Sequence, residues 1–168
     1  SRNPCSTRSG VISAGRAIRA SGLPREEFYV TTKLWNTGQG TQEAFAAFDL
    51  SFEKLGLDYV DLYLIHFPIT LQYVEPELRY PPGWFFDPSA TPPKMQTTSV
   101  PIAETWGAME ELQSAGLARH IGISNFCSSL IRDLLSYATV RPSVLQVESH
   151  PYLVQEKLLR YCQQEQIA

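Results

Sequence analysis

What most constrains this chain is an alternation of short apolar, β-branched runs with longer stretches of helical period. Phe28 to Leu34 is rich in aromatic and β-branched residues and reads as a strand. From about Gln42 to Leu55 the apolar residues Phe45, Phe48, Phe52 and Leu55 recur on one helical face, with Thr41 as the expected N-cap and Gly56 as the stop. Tyr59 to His66 is nearly continuous in apolar character, as a strand covered on both faces requires. A helix from Ile102 to Ala115 follows, aligning Ile102, Trp106, Met109 and Leu112 ahead of Gly116. Arg119 to Ser124 is the third strand, and Ser128 to Ala138 a helix with Leu130, Ile131, Leu134 and Leu135 inward. Val144 to Glu148 and a helix from Gln155 to Gln164 close the series, and one more helix, about Val11 to Ala20, precedes it. Strands separated by helices of this length imply an α/β fold with a parallel sheet. The pattern alone leaves open whether the sheet is doubly wound or part of a barrel.

One segment breaks the rhythm. Residues 67–101 hold eight of the twelve prolines. A connection this long inside a compact unit is expected to serve function, and its aromatics, Trp84 among them, argue for an ordered loop. It leaves the C-terminal end of the second strand, where α/β proteins bind ligands, so it is read as a substrate loop.

Composition narrows the classes further. The formal net charge of −3 offers no basic footprint for nucleic acid. No apolar run approaches the ~18 residues of a membrane span, and the polar start, SRNPCSTRSG, lacks the apolar core of a signal peptide. Three cysteines, Cys5, Cys127 and Cys162, are scattered without metal or disulfide spacing, so no metal is expected and a cytoplasmic location is. A P-loop, a GxGxxG turn, HExxH and GxSxG are all missing.

Polar residues gather at one end of the strands. Lys33 lies near the end of an otherwise apolar run, where an unpaired ammonium is costly to bury. His66 ends the second strand, Ser124 and Asn125 the third, and Gln146 lies in the fourth, where it is expected to need buried partners. If these ends converge, as they do in a barrel, the five side chains form one site.

Thr31-Thr32-Lys33-Leu34-Trp35-Asn36 resembles the third-strand motif of the aldo-keto reductases, and the segment from Leu57 to His66 resembles the fourth. Gly122-Ile123-Ser124-Asn125-Phe126 and the segment from Leu145 to Tyr152 are similar to the fifth and sixth. The match runs from about Arg16 to Ala168 in the right order. After His66, Phe67-Pro68-Ile69 and Tyr80-Pro81-Pro82-Gly83-Trp84 resemble the D-xylose (aldose) reductases of that family. The resemblance implies a (β/α)₈ TIM barrel, of which this chain holds about strands 3–6 with their helices as a single partial domain. It also implies NADPH or NADH as cofactor and a small-molecule aldehyde or sugar as substrate, reduced by hydride transfer while a tyrosine protonates the oxygen. In this reading Lys33 lowers that tyrosine's pKa and His66 orients the carbonyl. Ser124, Asn125 and Gln146 hold the carboxamide of the nicotinamide, and Trp35, Phe67 and Trp84 wall the substrate pocket.

The first fifteen residues diverge from the family. Counting back from Lys33 to where the family carries its tyrosine lands near Pro4, and Tyr29 lies inside the first strand. The expectation is therefore a fragment inactive by itself, with two open sheet edges. A non-catalytic binding or regulatory module built on the same scaffold is the alternative.

Overall fold

The structure is a computed structural model that describes residues 8–76, 78–80 and 82–168. The opening of the divergent segment, with Pro4 and Cys5, and Pro81 of the loop lie outside the described residues. In order, the elements are α1 (Arg8–Ala20), β1 (Thr31–Leu34), α2 (Thr41–Leu55), β2 (Val60–Ile65), α3 (Ile102–Ser114), β3 (Ala118–Ser124), α4 (Ser128–Tyr137), β4 (Leu145–Gln146) and α5 (Glu156–Gln164). Short 3₁₀ turns, Arg25–Glu27 and Asn36–Gly38, flank β1. The four strands form one parallel sheet in the order β1-β2-β3-β4.

Alternation along the strands divides the sheet into two faces. Leu34, Tyr63, Ile65, Ile121 and Ile123 join the core formed with the helices, where Phe48, Trp106, Met109, Leu112, Ile131 and Leu134 are buried. Each such large side chain stabilises the fold by about 1.5–3 kcal/mol on leaving water. The opposite face carries the register row Lys33–Leu64–Gly122. A Cβ on Gly122 would lie 2.6 Å from the Val144 carbonyl and 2.8 Å from Leu64 Cδ2, so only glycine lets β4 and Leu64 approach this closely.

The apolar helix faces are those that the periodicity indicates, and Gly56 ends α2 in the left-handed conformation at φ 62°. Arg19 of α1 reinforces that end by donating to the Leu55 and Gly56 carbonyls at 2.6 and 3.3 Å. Three departures from expectation have an identifiable cause. Gly40, not Thr41, is the N-cap of α2; the Thr41 amide and hydroxyl instead donate to Glu104 Oε1 of α3. The first strand starts at Thr31 rather than Phe28, because the Val30 amide donates to the Asp61 carboxylate at 2.8 Å instead of to a strand carbonyl. The fourth strand is two residues, not five. Its far edge is not bare: Leu145 N donates to Ala168 O at 2.8 Å, and Ala168 N to Ser143 O at 3.1 Å.

A charged network closes the N-terminal end of the sheet. Asp61 accepts from Arg25 at 2.8 Å and from Arg119 at 3.2 Å. The two guanidinium groups lie 4.1 and 4.0 Å from the centre of the Tyr59 ring, a double cation–π arrangement. Burial by itself would raise the Asp61 pKa, but the Val30 N–H and Arg25, helped by Arg119, outweigh it and hold the carboxyl below its ordinary range.

Candidate active site

At the C-terminal end of the sheet the expected residues meet around His66. Its backbone N–H extends the ladder by donating to Leu34 O at 3.1 Å, which fixes the residue just beyond β2. The imidazole stacks on Phe67, 4.9 Å between centroids at 15°. It also meets Trp35 edge-on at 5.0 Å. Trp84 comes down from the loop to 4.9 Å from Trp35 and 5.0 Å from Phe67. The indole N–H of Trp35 donates to the Gly83 carbonyl at 3.3 Å, tying the loop to the strand end. Trp35, His66, Phe67 and Trp84 thus make one aromatic cup from three separate stretches of chain.

Lys33 shares the face of the sheet that leads to this cup. Partial burial, the larger cause, and the charge of Lys33 push the His66 pKa down to about 4. At neutral pH the imidazole is therefore uncharged, with one ring N–H to donate and one nitrogen to accept.

Ser124 and Asn125 hold the last carbonyls of β2. The buried Ser124 hydroxyl donates to Ile65 O at 3.0 Å, and Asn125 Nδ2 donates to His66 O at 2.8 Å. Asn125 adopts φ 62°, a left-handed conformation that asparagine tolerates, and its backbone N–H donates to Gln146 O at 3.0 Å. Gln146 pairs with Ser124 in register. The expectation that its side chain needs buried partners is corrected: Gln146 is exposed, because β4 is a two-residue strand at the margin of the sheet.

Two supporting residues escaped the reading of the sequence. Gln39, buried after β1, donates from Nε2 to Phe67 O at 2.7 Å and accepts from the Thr70 hydroxyl at 2.9 Å. Its main-chain carbonyl accepts from the Thr105 hydroxyl at 2.7 Å, so one residue moors the loop base to α3. Asn36, also buried, accepts from the Leu71 amide at 2.9 Å through its carbonyl. The loop itself is ordered by antiparallel bridges at Leu71–Thr97 and Asp87–Lys94.

The chain matches the model of the Aldo/keto reductase family over residues 11–168 and belongs to that family. Among curated relatives it is 49% identical over 150 residues to a probable NAD(P)H-dependent D-xylose reductase of Arthroderma otae, covering 89% of this chain and 45% of that protein. It is 45% identical over 152 residues to the 4-dihydromethyl-trisporate dehydrogenase of Mucor mucedo, 90% and 46% of the two chains. The fold superposes on the aldose reductase from Schistosoma japonicum with a TM-score of 0.84 at 31% identity, over 94% of this chain and 51% of that one. A Bombyx mori aldo-keto reductase in complex with NADP gives 0.80 at 36% identity, over 95% and 47%. The chain spans about half the length of these relatives, and its four parallel strands are half of the (β/α)₈ fold.

Proposed function

We propose that this chain forms the carbonyl-activating half of an NAD(P)H-dependent reductase acting on an aldehyde or aldose. The observation that carries the reading is a neutral imidazole, His66, set beside Lys33 in a cup of Trp35, Phe67 and Trp84. Such a group can donate a hydrogen bond to a carbonyl oxygen without carrying a charge of its own. The ammonium of Lys33 favours negative charge developing on that oxygen, and the aromatic walls exclude water from it. The D-xylose reductase relative supports a sugar as substrate, whose C–H faces suit aromatic walls.

The rim suits a nicotinamide. A carboxamide presents one donor and one acceptor group, and the exposed Gln146 side chain matches both. The outward amide oxygen of Asn125 adds an acceptor, while its nitrogen stays committed to His66 O. When bound, the nicotinamide would supply the hydride. The protein's part is to hold the carbonyl carbon near it by way of His66 and the cup.

In this reading neither Tyr29 nor Tyr63 is the proton donor. Tyr29 is exposed ahead of β1. Tyr63 is buried against Phe48 of α2, 5.0 Å between ring centres, and burial raises its pKa. We expect residues 1–168 alone to reduce no aldehyde and the whole reductase to be cytoplasmic; the chain spans about half the length of its relatives. The test is NADPH oxidation with D-xylose and with an activated aromatic aldehyde, by residues 1–168 and by the full-length protein. Turnover by the full-length protein alone supports the proposal; if it oxidises no NADPH with either substrate, the proposal fails.

A further inference from the structure

Resting on the reading of the cup as a substrate pocket, we infer that Arg79 is a positioning residue that sets the pocket wall by clamping the chain on the far side of Trp84. Its two terminal nitrogens donate to successive carbonyls, Nη2 to Phe85 O at 2.7 Å and Nη1 to Phe86 O at 3.1 Å. These are the two residues that follow Trp84. Gly83, which precedes it, is held by the Trp35 indole. The segment carrying Trp84 is thus pinned on both sides of the indole, once by the strand end and once by Arg79.

Side-chain packing holds this segment only in part, because Phe85 and Phe86 line the same hollow as Arg79 yet remain 42% and 45% exposed. Among the described residues, the one main-chain bond from this pair, Phe86 N to Lys94 O, is long at 3.3 Å. Two neighbouring carbonyls call for a planar fork of donors at fixed spacing, which guanidinium provides and a lysine ammonium does not. Arg79 is also turned inward rather than into water. It lines, with Thr37, Leu71, Trp84 and Gln96, a hollow that leaves no room for a water molecule. Its Nε is buried with no hydrogen-bond partner among the described residues, a cost that an arginine merely decorating the surface would avoid.

The chain has three tryptophans, Trp35, Trp84 and Trp106, so 5-fluorotryptophan labelling gives three fluorine resonances, assigned with Trp84→Phe. Trp106 is buried in α3 and donates to Val140 O at 3.0 Å, far from the loop, and reports on the fold as a whole. In Arg79→Ala the Trp84 resonance shifts or broadens while Trp106 stays in place. In the full-length protein the KM for aldehyde rises about tenfold with kcat within threefold, since Lys33 and His66 are untouched. Arg79→Lys, which keeps the charge but not the fork, recovers less than half of either change. An unmoved Trp84 resonance together with an unchanged KM in Arg79→Ala overturns the inference. Should Arg79→Ala disturb Trp106 as well, Arg79→Lys decides by the same two readouts. If the parent protein reduces no aldehyde, the proposed function fails while the Trp84 resonance still decides the role of Arg79.

Discussion

The two ends of the sheet use similar residues to opposite effect. At the N-terminal end a carboxylate, Asp61, sits between two guanidinium groups that also sandwich Tyr59. Every charge there meets its complement, and the result is a closed structural clamp. At the C-terminal end a cation, Lys33, stands beside an imidazole, and the two repel protons from the same place. Aromatic rings at that end enclose a cup rather than a cation. Under the proposed function the difference keeps stability and chemistry apart, with ion pairing at one rim and hydrogen-bonding capacity for a ligand at the other.

The comparison breaks most directly through turnover. In the full-length protein His66→Ala and Lys33→Met should each lower aldehyde reduction roughly 10²–10⁴-fold, the usual worth of a positioned acid–base group. Their urea midpoints should stay near that of the parent; wild-type rates in both variants would show that the polar rim is ornamental. Next in size is Asp61→Ala. Removing the carboxylate leaves the Val30 N–H unpaired and takes an ion-pair partner from Arg25 and the half-exposed Arg119, at a cost of about 2 kcal/mol measured by denaturant unfolding. Its KM for aldehyde should hardly change, and a large KM effect would mean that the two ends are coupled.

A proton titration sharpens the contrast. Followed by NMR, His66 should stay neutral until the pH approaches about 4. The unfolded chain takes up that proton near pH 6.5, so between those values it binds more protons than the folded one. The contribution of this group to stability is complete above pH 6.5 and is lost as the pH falls towards 4. Lys33→Met should raise the midpoint only part of the way back, because burial is the larger cause. A His66 that titrates near 6.5 in the parent would remove the argument for a neutral donor. The smallest effect belongs to Trp35→Phe, which deletes the bond to Gly83. About 1 kcal/mol of protection should be lost, read as faster amide exchange over residues 83–86 with the exchange of β2 unchanged.

The helix-facing side of this architecture was open to a reader of the sequence, because it depends on local periodicity. The spacing of Phe48, Phe52 and Leu55, or of Trp106, Met109 and Leu112, states which face is buried. Gly56 states where α2 stops. What stayed hidden depends on partners distant in the chain. Thr41 looks like a cap until Glu104, sixty-three positions on, takes its donors. Val30 looks like a strand residue until the Asp61 carboxylate takes its amide. Within the site, Lys33, His66, Ser124 and Asn125 were found as polar intruders at strand ends. Gln39 and Arg79 carry no such mark, since each works through main-chain carbonyls that no pattern of side chains announces. Gln146 was placed on the right rim with the wrong burial, for the length of an edge strand is set by its neighbours.

Four main-chain carbonyls of the long loop are held by side chains: Phe67 O by Gln39, Gly83 O by Trp35, and Phe85 O and Phe86 O by Arg79. Carbonyls are the same in every amino acid. Exchanging the side chains at positions 67, 69 and 84–86 therefore leaves these four acceptors in place. A lineage can retune which molecules it accepts one substitution at a time while the scaffold stays folded, and a laboratory library restricted to these positions starts with the same freedom.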